Sequence, residues 1–144
     1  FGFGKRPLAD CDLITAFNYA RSEAIRRSAT VTVCATSTFT TCGAAAAWST
    51  GWFAFRDTNG DGSRQVAEEI LQLWRSAGDA EVTFITGGTN PQRVTFTATG
   101  LVTPATGIKT YVVYSNACES GVARARRVQI NGIGSIRNDR IGCP

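Results

Sequence analysis

Histidine and methionine are both absent from this 144-residue chain. Without an imidazole, no side chain titrates near neutral pH unaided, and none is available as the usual base that activates a serine or cysteine. The acids do not fill that gap. Glu68 and Glu69 are neighbours, and adjacent strand residues point to opposite faces. No catalytic residue, no cofactor and no enzymatic activity are therefore expected. Lacking both histidine and any CxxC pair, the chain also argues against zinc. No run approaches the ~20 apolar residues of a membrane-spanning helix, and there is no signal-peptide pattern. Internal repeats are missing, and the only low-complexity tract is AAAA at 44–47.

What is present describes one domain with a substantial core: 43% of residues are hydrophobic, glycine is frequent and threonine is enriched. Leu13, Phe17, Ala20 and Ala24 step along one helical face, with Ile14 and Ile25 widening it. Arg21, Glu23, Arg26 and Arg27 fall elsewhere, and Glu23 can pair with Arg27 one turn on. Short strands are predicted after the helix at 30–35, 51–56, 81–86, 93–99, 110–115 and 125–131, while 69–74 is ambiguous between helix and strand. Turn signals separate them: Asn59-Gly60-Asp61-Gly62, Gly87-Gly88, Asn90-Pro91, Thr103-Pro104 and Asn131-Gly132. One helix ahead of antiparallel strands is an α+β domain.

Five cysteines leave one over. Cys34 and Cys42 flank a short connection that reads as a hairpin loop, so a local disulfide is expected. Cys118 and Cys143 would then close the C-terminal segment, leaving Cys11 outside any intrachain pair. Loop entropy gives these bridges at most ~2.5 and ~3.5 kcal/mol. Disulfides of this kind imply an exported location.

Two further patterns invite a binding reading. Asp57-Thr58-Asn59-Gly60-Asp61-Gly62 with Glu68 satisfies the EF-hand loop expression, with Asp57, Asn59, Asp61, the Ser63 carbonyl and Glu68 as oxygen donors. The flanks read as strands rather than helices, however, and Arg64 puts a cation where an apolar residue usually stands. The loop is therefore expected to be a structural turn, with calcium bound weakly if at all and no metal assigned. Trp48, Trp52 and Trp74 could form a stacking platform for single-stranded nucleic acid; sheet packing is the reading preferred here.

Taken together, the helix carrying ARSEAI, the VTVC strand, WSTGW, the DTNGDG turn and a basic terminal strand and tail resemble the GspH/FimT family of type IV minor pilins and type II secretion pseudopilins. The likeness runs over roughly residues 13–143. It implies a type IV pilin-like α+β fold, an N-terminal amphipathic helix packed on antiparallel β-sheet, and a filament subunit rather than an enzyme. In resembling sequences a D-x-N-x-D-G turn often joins two strands, and the Trp-x-x-Gly-Trp stretch belongs to the fold. The implied partners are other minor and major pilins. The implied setting is the periplasm or a cell-surface pilus, anchored in the inner membrane before assembly, with the membrane met only through an apolar N-terminal helix. Neither that helix nor its glutamate is seen in FGFGKRPLAD, so residues 1–11 are expected to be a leader or truncated segment and 12–144 the pilin head.

The basic surplus lies at the chain ends. Residues 118–144 hold Arg124, Arg126, Arg127, Arg137 and Arg140 against Glu119 and Asp139. Some FimT-like members take up DNA through a Gly-Arg-x-Arg motif in the tail that follows the last long strand. Here Gly134-Ser135-Ile136-Arg137 matches at the glycine and the second arginine, with Ser135 in place of the first. The resemblance thus makes the five arginines candidates for clamping duplex phosphates without reading sequence. A type II secretion pseudopilin H, a filament-tip subunit without DNA binding, is the alternative.

Overall fold

The computed structural model describes residues 9–76, 80–86, 90–103, 108–115 and 125–143. Helix α1 (Ala9–Arg27) leads into nine strands: β1 (Val31–Ala35), β2 (Gly51–Arg56), β3 (Ile70–Arg75), β4 (Ala80–Thr86), β5 (Arg93–Phe96), β6 (Val102–Thr103), β7 (Lys109–Ser115), β8 (Ala125–Ile130) and β9 (Ile136–Ile141). They form two sheets, ordered β3-β2-β1-β5-β6 and β4-β7-β8-β9, with every pairing antiparallel. The expected α+β architecture, a helix on antiparallel sheet, is what forms. α1 runs across the expected boundary between residues 11 and 12.

The helical stripe is buried as the periodicity predicts. Leu13, Ala16, Phe17, Ala20 and Ala24 are all fully buried, and the three alanines let the helix axis lie close to the strands. Ile25 departs from expectation: it sits at the margin of the stripe and stays exposed. The helix stops where Ser28 turns left-handed (φ 49°) and Ala29 N–H reaches back to the Ala24 carbonyl at 3.0 Å. α1 packs on β1, β2 and β5 of the first sheet and on β7, β8 and β9 of the second, so one core serves both.

Alternation along β1 and β2 sorts their side chains between two layers. Val31, Val33, Ala35, Trp52 and Ala54 join the helix in the main core, while Cys34, Phe53 and Phe55 form a second cluster with Cys42, Ile70 and Leu73. Phe17, Trp48, Trp52 and Tyr111 make the aromatic centre, with the Trp48 and Tyr111 rings 5.3 Å apart. Trp48 comes from a 3-10 helix (Ala45–Ser49) that the alanine tract forms and the sequence pattern did not predict.

The two sheets are tied together at the segment before β5. Trp48 Nε1 and the Tyr111 hydroxyl both donate to the Pro91 carbonyl, at 2.8 and 3.2 Å, and Lys109 Nζ donates to the Asn90 and Arg93 carbonyls at 2.9 and 3.1 Å. The strand expected at 93–99 ends at Phe96, because Thr97 to Gly100 form a tight turn with Gly100 at φ 83°.

Candidate functional site

The C-terminal edge is the first candidate. The stretch after Gly134, expected as a tail, is strand β9, paired residue for residue with β8 and closing the second sheet. Its register decides what the arginines can do. Arg126 stands opposite Arg140, Arg127 opposite Asp139, and Gln129 opposite Arg137. Because alternate residues point to opposite faces, Arg126 and Arg140 share one face while Arg127, Arg137 and Asp139 share the other. The arginines therefore do not form a single clamp. Arg124 lies outside the described residues.

Arg127 is engaged already. Its Nε and terminal nitrogen reach the two Asp139 oxygens at 3.1 and 2.6 Å. That bidentate pair raises the guanidinium and holds the Asp139 carboxyl below the ordinary range. Arg137 and Arg140 are exposed; Arg126 is half-buried. The glycine of the partial motif has a structural use: Gly134 adopts φ 83°, and a Cβ there would collide with the Gly100 carbonyl oxygen. Arg21 Nε donates to the same carbonyl at 3.1 Å, tying α1 to both turns.

The second candidate is the turn between β2 and β3. It closes a β-hairpin, as the strand flanks predicted, but its acids are not solvated surface groups. Asp57 is fully buried and Glu68 is 4% exposed; Asp61 is exposed. Their carboxylate oxygens lie within 4.8 Å of one another. Asp57 Oδ2 accepts from the Thr32 hydroxyl at 2.9 Å and from Gly62 N–H at 2.8 Å, whereas its Oδ1 accepts from nothing among the described residues. Burial pushes the Asp57 carboxyl above its ordinary range, against the pull of those two donors. Glu68 closes the loop by accepting from Thr58 N–H at 2.7 Å and Gln65 N–H at 2.8 Å. Ser63 N–H, donating to Asp61 at 3.0 Å, leads the interactions that lower the Asp61 carboxyl.

Arg64, the cation at the position where an apolar residue usually stands, forms no ion pair with these acids. Its guanidinium turns away, donating to the Glu68, Thr40 and Val66 backbone carbonyls at 3.0, 2.8 and 3.3 Å. Among the described residues no lysine or arginine forms an ion pair with the three acids. The expression could signal which acids meet. It could not signal that two of them would be buried, because burial comes from β1 and from the fold around the hairpin.

The remaining sequence candidates are placed as follows. Cys34 and Cys42 form the expected disulfide, which pins the loop after β1 over the outer aromatic cluster. Cys143 is disulfide-bonded; Cys118, its expected partner, lies outside the described residues, as does the Cys11 side chain. Trp48 and Trp52 are fully buried, and Trp74 packs edge-on against Tyr19, so the tryptophans serve packing and offer no stacking platform.

Residues 12–134 match the protein family described as type II transport protein GspH. No curated protein matches the chain. Among solved structures, the type IV minor pilin FimU of Pseudomonas aeruginosa superposes with a TM-score of 0.65 at 21% identity, over 91% of this chain and 85% of that one. The minor pseudopilin EpsH of the Vibrio cholerae type 2 secretion system gives 0.58 at 14% identity, over 93% and 98%. At these identities the likenesses speak for the fold.

Proposed function

Because the chain belongs to the GspH family of minor pilins and pseudopilins, which are filament subunits rather than enzymes, we propose that it is a minor pilin of a type IV pilus, added at or near the tip. The family match across residues 12–134, on a helix that packs against two sheets, carries the filament-subunit reading. Its working partners are then other minor and major pilins, and its setting is the periplasm and pilus, reached from an inner-membrane-anchored precursor. Residues 12–144 act as the head in this reading. The basic C-terminal edge favours a pilus over a secretion filament. Deleting the gene in its own host and counting surface pili tests this: loss of pili with secretion intact supports the pilus. The reverse outcome makes the chain a type II pseudopilin like EpsH.

Duplex DNA is the second reading, favoured by two exposed arginines on edge strand β9, Arg137 and Arg140, which lie on opposite faces and would each meet a phosphate separately. Such contact is non-specific and salt-sensitive, each neutralised phosphate adding about −0.9 to the slope of log affinity against log salt. A gel-shift series over salt with Arg137→Ala tests it. The variant should bind every duplex more weakly and flatten the slope by about one unit. If the parent domain shifts no DNA at low salt, the edge is an ordinary solvated surface.

A further inference from the structure

We propose that the β2–β3 turn is a calcium site, formed by Asp57, Asp61 and Glu68 with Asn59 and the Ser63 carbonyl available to complete an oxygen shell. Three carboxylates converge within 4.8 Å, and two of their residues are buried. Burying anionic groups without a counter-charge is strongly unfavourable, so acids placed this way are ordinarily paired or bound to metal. Here the pairing is missing: no ion pair reaches them among the described residues, and Asp57 Oδ1 has no hydrogen-bond donor although Asp57 is fully buried. Among the described residues Arg93, whose side chain lies against Gly62, is a cation in electrostatic reach of Asp61 and helps to lower its carboxyl, without forming an ion pair with it.

The hydrogen bonds leave room for an ion. Each carboxylate oxygen has two lone-pair directions; Glu68 Oε2 accepts from both the N–H and the hydroxyl of Thr58, whereas Oε1 accepts from Gln65 N–H and keeps a direction for a cation. Those bonds hold its carboxylate in place across the loop from Asp57. Gly62 occupies the sharp-turn position of the loop expression at φ 77°, where a side chain would be strained and would strike Arg93. The donor set holds oxygen alone, which disfavours zinc, and a loop with several carboxylates and a backbone carbonyl suits calcium better than the strict octahedron of magnesium.

Both sequence objections lose their force. Strand flanks replace the helices of an EF-hand but remove no ligand, and Arg64 is turned outward onto backbone carbonyls. The site differs from a sensor in kind: it staples a hairpin whose second strand, β3, is the edge of the first sheet. An affinity of the extracellular class follows, with a dissociation constant of about 10⁻⁴ to 10⁻³ M.

Calorimetry and thermal melts of the whole chain, first in EDTA and then with calcium or magnesium chloride, test the assignment. Calcium at ~10 mM should raise the melting midpoint by several degrees, and magnesium at the same concentration should do much less. Asp57→Asn should abolish the calcium response while melting no lower than the parent in EDTA, because it removes an unpaired buried charge. Asp61→Asn, at an exposed position where the amide oxygen can still accept from Ser63 N–H, should weaken calcium binding at least tenfold. Absence of heat and of any calcium-induced shift in the parent, or a full calcium response in both variants, would mean that the turn is structural only.

Discussion

Replacing Trp48 and Tyr111 by phenylalanine, singly and together, probes the joint between the sheets. Both residues donate to one acceptor, the Pro91 carbonyl, from different elements: Trp48 from the 3-10 helix before β2, Tyr111 from β7. Tyr111→Phe removes a hydroxyl and leaves the ring, at a cost of about 1 kcal/mol. Trp48→Phe loses the indole N–H and part of a fully buried ring packed against Phe17, Trp52 and Tyr111, at a cost of about 2 kcal/mol. After either change alone the carbonyl keeps one partner. The double variant leaves it with neither donor, so it should fall below the sum of the singles by about 1 kcal/mol, or ~4 °C in melting midpoint. Urea unfolding of the four proteins at constant slope measures this coupling. Additivity within about 0.4 kcal/mol would show that the shared carbonyl is not the joint.

Removing the Cys34–Cys42 bridge by Cys34→Ser with Cys42→Ser should cost up to ~2.5 kcal/mol by loop entropy, read as a lower urea midpoint; an unchanged midpoint contradicts the expectation. Lys109 supplies an unusual pH dependence. Burial lowers its ammonium from 10.5 to about 8, with the Arg93 charge adding to the effect. Between those values the unfolded chain holds the proton that the folded chain has released. Stability gained from this group therefore rises with pH from about 8 upward, by at most ~1.4 kcal/mol per pH unit. Urea midpoints taken from about pH 7.5 to about pH 9 should show that rise in the parent and lose it in Lys109→Met. At the basic edge, Asp139→Ala releases Arg127 and deletes an acid, so it should tighten any DNA gel shift, whereas Arg127→Ala should weaken it less than Arg137→Ala.

Local patterns were enough wherever one element's own period decided its state. The Leu13–Phe17–Ala20–Ala24 stripe marked α1, the 51–56 run coincided with β2, and the spacing of Cys34 and Cys42 marked their bridge. The loop expression likewise brought Asp57, Asp61 and Glu68 to one place, because the ligand positions lie within one short turn. Other features depend on partners distant in the chain. β9 carries Arg, Asn, Asp and Arg between two isoleucines, a polar edge strand with no strong alternation, and only its pairing with β8 makes it a strand. The same pairing separates Arg126 and Arg140 from Arg127 and Arg137, a division that linear spacing cannot express because it follows from register. Which acids are buried was also a tertiary outcome. The Thr32 hydroxyl on β1 lies 2.9 Å from Asp57, 25 residues away in sequence, and burial of that kind gives a hairpin turn two desolvated acids. Period and spacing are properties of the chain, while register and desolvation are properties of what it packs against.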